Sequence, residues 1–148
     1  MKILIINGPN LNLLGSREKN IYGSMTLNDI NTMIMERFRD SSIVFEFFQS
    51  NSEGYIVSKI QQAISNYDGI VINPGAYSHY SIAILDAIRS ISIPVIEVHI
   101  SNIFSREEYR KKSVTAEGCV GFICGFGCYG YVLAVEALLS MGVMGKSV

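Results

Sequence analysis

Lys2-Ile-Leu-Ile-Ile-Asn7, broken at once by Gly8-Pro9-Asn10, is a run apolar at consecutive positions that ends in a polar side chain and turn residues. A half-wet antiparallel strand would alternate apolar with polar, whereas continuous apolarity fits a strand covered on both faces of a parallel sheet. Ile43–Gln49, Gly69–Asn73, Pro94–His99 and Cys119–Cys124 read as further short strands, most of them again apolar at consecutive positions. Between the runs the period changes to that of helices. Leu27, Ile30, Ile34 and Phe38 recur at three- and four-residue steps, and Thr26 with Asp29 makes a capping box at their head. Ile56, Ile60 and Ile64 mark a second helix, and Ile82, Leu85 and Ile88 a third. Ser105 with Glu108 predicts a short fourth, and Tyr131–Met141 the last.

Alternating strands and helices with no repeat or linker predict a single α/β domain over residues 1–148. The expected architecture is a doubly wound, flavodoxin-like, five-stranded parallel sheet in the order 2-1-3-4-5, with ligands gathering beyond the strand C-termini. One connection departs from the pattern. Gly8–Ser24 is far longer than the roughly 2–6 residues usual between a strand and its helix, and it is rich in polar side chains, as functional lids are.

Composition narrows the function classes. Hydrophobic residues make up 49% and charged ones 17%, yet no apolar run reaches the roughly 18 residues of a membrane-spanning helix. The first residues lack a signal-peptide cleavage pattern, so a cytoplasmic location is expected. A net charge of -1 without a sizeable basic cluster argues against nucleic acid as a partner. The low charge content also predicts that part of the surface is covered in a homo-oligomer. The 3 cysteines, Cys119, Cys124 and Cys128, contain no CxxC pair, and the first two lie in an apolar strand-like run where Cys reads as a small buried hydrophobe, so no metal site is expected.

Several polar side chains fall where an open α/β sheet builds its site: Asn7 and Asn10 after the first strand, Asn73 after the third, His99 and Ser101 after the fourth, and His79 in a nearby loop. A lone histidine at a strand end is often structural, but convergent polar groups around one crevice mark a pocket. Glu97 and His99 are two apart in a strand and share a face, so the carboxylate could orient or charge the imidazole as a general acid, or could merely satisfy a backbone amide. Successive amides along Ile100, Ser101 and Asn102, with the serine hydroxyl, offer a seat for a carboxylate. Arg106 and Arg110, one turn apart on the expected fourth helix, either bind hydroxyls and anions or form a solvated basic face.

Gly125-Phe-Gly-Cys-Tyr-Gly130 matches GxGxxG between a strand and a helix, but no Asp follows Gly130 to hold a ribose, so the glycines are read as packing devices. A receiver-type signalling module would share the architecture but needs acidic residues where Asn7 and Asn73 stand. A flavin carrier would favour Ser and Thr in the first loop, which here is rich in Asn and Leu.

Three separated blocks carry a resemblance over nearly the whole chain: Ile6-Asn-Gly-Pro-Asn-Leu-Asn-Leu-Leu-Gly15 with Arg17-Glu18 and Tyr22-Gly23; Asn73-Pro-Gly-Ala-Tyr-Ser-His79; and Ile96-Glu-Val-His-Ile-Ser-Asn102 with Arg106-Glu-Glu-Tyr-Arg110. In these the chain resembles the type II dehydroquinases. The resemblance implies dehydration of 3-dehydroquinate to 3-dehydroshikimate in the shikimate pathway, by anti elimination through an enolate, with no metal or cofactor. It also implies a dodecamer built from trimers. Within it Tyr22 looks like the base, Arg17 the lid residue favouring its phenolate, Arg106 a second cation beside it, and His99 the acid. Asn10 looks like the residue holding a water against the enolate oxygen. Asn73, His79, Ile100, Ser101 and Arg110 match substrate contacts, and Asp86 a residue reaching a neighbouring subunit's site. Glu117 stands where the family is more apolar, which puts local packing in question.

Overall fold

The computed structural model describes residues 1–16 and 18–143. Arg17 lies outside them. The strands are β1 (Lys2–Asn7), β2 (Val44–Gln49), β3 (Gly69–Asn73), β4 (Val95–His99) and β5 (Gly121–Cys124). They form one five-stranded sheet in the order β2-β1-β3-β4-β5. Each pairing is parallel. The expected flavodoxin-like topology is therefore what the chain adopts, with strand limits within two residues of the apolar runs.

The helices are α1 (Lys19–Tyr22), α2 (Leu27–Arg37), α3 (Glu53–Gln62), α4 (Ile82–Arg89) and α5 (Tyr129–Val143). Helix α2 begins with the predicted box: the Thr26 hydroxyl accepts from the Asp29 amide at 3.1 Å while the Asp29 carboxylate accepts from the Thr26 amide at 2.9 Å. Ser52 and Ser81 cap α3 and α4 in the simpler way, each hydroxyl accepting from an amide three residues on. The alternation of side chains along the strands divides the core in two. Ile3, Ile5, Val71, Ile96 and Val98 pack against Ile30 and Ile34 of α2 and against Tyr131, Val135 and Leu138 of α5. On the opposite face Leu4, Ile6, Ile70, Ile72 and Val95 meet Ile56 and Ile60 of α3 with Ile84 and Ile88 of α4. Burial of each such side chain contributes roughly 1.5–3 kcal/mol, which is why this sheet is filled from both sides.

The predicted fourth helix is absent. In its place stand two separate 3-10 turns, Ile103–Ser105 and Glu108–Arg110, with Arg106 in extended backbone between them (φ -102°, ψ -168°). Asn102 is the cause: its side chain accepts from the Phe104 amide at 3.1 Å, and its carbonyl accepts from both the amide and the hydroxyl of Ser105. Ser105 thus closes a turn instead of opening a helix. Arg106 and Arg110 consequently do not share a helical face.

Two glycines are fixed by close approach. A Cβ on Gly8 would collide with the Pro74 carbonyl, because the ends of β1 and β3 run side by side there. A Cβ on Gly130 would lie 3.2 Å from a methyl of Val98, so this member of the GxGxxG match serves helix-to-sheet packing. Glu117 is exposed and pairs at 3.7 Å with Arg89, itself half exposed, a surface contact that leaves the core undisturbed. Among the described residues no helix is long and apolar enough to cross a membrane.

Candidate active site

Beyond the C-terminal ends of β1, β3 and β4 the sheet presents polar side chains, as the topology requires. Asn7 and Asn73 sit opposite one another in the β1–β3 register. Both are buried, and the Tyr131 hydroxyl lies between them, donating to Asn7 Oδ1 at 2.6 Å and accepting from Asn73 Nδ2 at 2.9 Å. Asn73 Oδ1 accepts from the Gly75 amide at 3.1 Å. The Asn73 amide is therefore fixed in orientation, with one further N–H available to a ligand. Burial holds the Tyr131 phenol far above the ordinary tyrosine range, so it acts as a neutral donor and acceptor.

At the end of β4, Glu97 is fully buried, and the share of the imidazole left exposed is also small. A bare carboxylate here would carry a heavy desolvation cost. It is met by three donors: Ser113 Oγ on Oε1 at 2.5 Å, Thr115 Oγ1 on Oε2 at 2.5 Å, and His99 Nε2 at 2.7 Å from Oε1. The simpler reading of Glu97, that it satisfies a backbone amide, does not hold. With Nε2 committed to Glu97, the Nδ1 edge of His99 is the one left for other partners.

His79 follows β3 in the turn Gly75–His79 and stacks on His99 with ring centroids 6.4 Å apart. Its Nδ1 donates to the Lys112 carbonyl at 2.8 Å. Burial pushes its pKa below the usual value, against the pull of that carbonyl, and the neighbouring His99 ring and Arg110 guanidinium push the same way. Arg110 stands over Tyr109 and within 3.1 Å of Glu107, with its guanidinium partly exposed. Ile100 is buried and its carbonyl accepts from the Gly127 amide at 3.0 Å, which anchors the backbone just before Ser101.

The long connection after β1 is partly helical, an element the periodicity did not reveal. Asn10 and Glu18 take the left-handed conformation (φ 68° and 41°), and α1 then carries Tyr22 toward the sheet ends. The Tyr22 oxygen accepts from Arg106 Nη1 at 2.7 Å. The same guanidinium lies 5.5 Å from the Tyr22 ring centroid. Asn10 is exposed, and its amide donates to Asn51 Oδ1 at 3.0 Å. Beside these groups lies an open cleft of about 620 Å³ bordered by Asn20, Ile100, Ser101, Asn102 and Arg106. Asp86 is apart from all of them, exposed on the outer side of α4.

Two clusters thus form at this end of the sheet, Tyr22 with Arg106 and His99 with Glu97, His79 and Arg110, while Asp86 is exposed on α4 away from these contacts. Sequence reasoning missed Ser113, Thr115 and Tyr131, whose hydroxyls hold the polar groups at the strand ends. A tyrosine in the first turn of α5, directly behind a glycine-rich turn, was the only local sign of the last of these.

A buried carboxylate–imidazole pair and a phenol–guanidinium pair on one open α/β sheet are the kinds of groups that acid–base enzymes employ. The chain matches the family described as dehydroquinase class II over residues 1–139. It is 62% identical over 138 residues to a 3-dehydroquinate dehydratase of Clostridium botulinum strain Hall, covering 93% of this chain and 94% of that protein. Among solved structures it superposes on the type II dehydroquinase of Butyrivibrio crossotus with a TM-score of 0.92 at 56% identity, covering 94% of this chain and 97% of that one. The type II dehydroquinase of Propionibacterium acnes gives 0.90 at 45% identity, with 94% and 96% covered. The chain belongs to the type II dehydroquinase family.

Proposed function

We propose that the chain dehydrates 3-dehydroquinate to 3-dehydroshikimate, as a cytoplasmic enzyme of the shikimate pathway and of aromatic amino acid biosynthesis. Family membership supports the substrate. The observation that carries the chemistry is the pairing of Tyr22 with Arg106 on one side and of His99 with Glu97 on the other.

Loss of water from this substrate requires a proton to leave C2, next to the ketone, and the hydroxyl to leave C1. Tyr22 takes the proton. A guanidinium donating to its oxygen stabilises negative charge there, and Arg17 adds a second cation by resemblance to the family. The electrons move into an enolate, whose oxyanion is met by a water held on Asn10. His99 then donates a proton to the departing hydroxyl from its Nδ1 edge, with Glu97 fixing the ring and compensating its charge. Base and acid act on opposite sides of the substrate, so the elimination is anti. No metal or cofactor takes part.

Asn73 and His79 hold ring hydroxyls, the Ile100 and Ser101 amides with the Ser101 hydroxyl seat the carboxylate, and Arg110 adds a cationic contact. Residues 1–148 work as one catalytic domain. Asp86 completes the site of a neighbouring subunit in a dodecamer of trimers. Its exposed position on α4, beside Ile82 at 57% exposure, fits a covered outer face. The test is growth of enone absorbance when 3-dehydroquinate is added to the purified protein. Folded protein that gives none would contradict the reading.

A further inference from the structure

From its contacts with the residues at the ends of β3 and β4, we infer that residues 112–115 form a strap that positions both site histidines, with Thr115 and Ser113 as positioning residues acting on His99 through Glu97. The inference rests on the reading of His99 as the acid.

Four bonds leave these four consecutive residues for the site. The Lys112 carbonyl takes the Nδ1 proton of His79 at 2.8 Å, and the Val114 amide donates to the Ser78 carbonyl at 2.7 Å. Both fix the turn and the ring that follow β3. Ser113 and Thr115 reach the other way, one hydroxyl on each oxygen of Glu97, both at 2.5 Å. Because the Glu97 oxygens are pinned separately, the carboxylate plane cannot rotate about its own axis. The direction of the Oε1 lone pair facing His99 is fixed with it, and so is the imidazole ring. Thr115 itself is fully buried. The strap is held in turn by the Ala116 amide, which donates to Ser113 Oγ at 3.1 Å, and by the turn Thr115–Gly118 that follows.

A serine and a threonine in a connecting segment could be filling space. Two features argue otherwise. Both hydroxyls converge on one carboxylate, and that carboxylate has a histidine as its remaining partner. A threonine kept only for its methyl group would not need to aim its oxygen at a fully buried charge.

The experiment compares Thr115→Val, Thr115→Ser and wild type in wild-type and His99→Ala backgrounds, by steady-state kinetics with 3-dehydroquinate, with folding checked by circular dichroism. Valine keeps the shape and deletes the hydroxyl. The expected result is a kcat lower by about tenfold or more, the size set by losing one hydrogen bond to a buried charge, with KM nearly unchanged. Serine restores most of it, and in the His99→Ala background the valine substitution costs little more. Wild-type kcat in folded Thr115→Val, failure of serine to rescue, or an undiminished loss without His99 would overturn the proposal. Ser113→Ala, at a half-buried position, gives the same comparison should Thr115→Val not fold. Normal activity of His99→Ala itself would instead sink the reading of His99 as acid.

Discussion

The two sides of the site, acid and base in the function proposed above, are built from different materials. Glu97 and His99 belong to a strand, are buried, and hang in a network that reaches from β4 to residues 113 and 115. Tyr22 belongs to a single helical turn, α1, that buries no residue and is entered through a left-handed Glu18. Its fixed partner, Arg106, sits between two 3-10 turns. The difference teaches a division of labour: the group that must carry a compensated charge in a dry place is set by the sheet, while the group that must meet an arriving substrate is set by a loop over it. Within the same connection Leu11 and Leu14 are anchored in the core, so only the α1 end of it is lightly held.

The comparison can be broken most directly at the base. Tyr22→Phe keeps the ring and removes the accepting oxygen, so kcat should fall by about a hundredfold to ten-thousandfold, the usual range for general-base groups, with KM changed far less. Steady-state kinetics with 3-dehydroquinate measures it. Arg106→Ala should lower kcat by roughly tenfold to a hundredfold, since one charge-assisted hydrogen bond to the reacting oxygen is lost. Arg106→Lys should lose less, because it keeps the charge without the planar fork.

A smaller effect belongs to the acid side. His79 has its pKa lowered below the usual 6.5, mainly by burial, so it is neutral at pH 7 and resists protonation in the folded state. The unfolded chain therefore binds the proton first as pH falls below 6.5, and the stability that depends on neutral His79 is lost in that direction. An NMR titration of the His79 ring should show a midpoint under the free-histidine value, and His79→Gln should flatten the acid dependence of thermal unfolding. Exhaustive chelation, and borohydride added with substrate, should leave the rate unchanged. Loss of activity restored by a divalent ion would contradict catalysis without a metal, and a borohydride-trapped lysine adduct would contradict the enolate route.

Much of this was legible in the sequence because the signals are local. A strand buried on both faces leaves an uninterrupted apolar run, and a capping box leaves two residues three apart, as at Thr26 and Asp29. The same box signature failed at Ser105 and Glu108 because a neighbour, Asn102, captured the amide and hydroxyl first. Glu97 and His99 could be paired by strand alternation. Ser113, Thr115 and Tyr131 could not be found this way, since nothing in a coil hydroxyl or a helix-start tyrosine says which buried group, distant in the chain, it will reach.

The central claim, that a base from the Gly8–Ser24 loop and an acid from β4 act on opposite sides of one substrate, is tested by its stereochemistry. 3-Dehydroquinate deuterated stereospecifically at C2 can be turned over and the product read by mass spectrometry. The account predicts loss of the C2 hydrogen anti to the departing C1 hydroxyl and retention of the other. Loss of the syn hydrogen, or scrambling of the two, would contradict it.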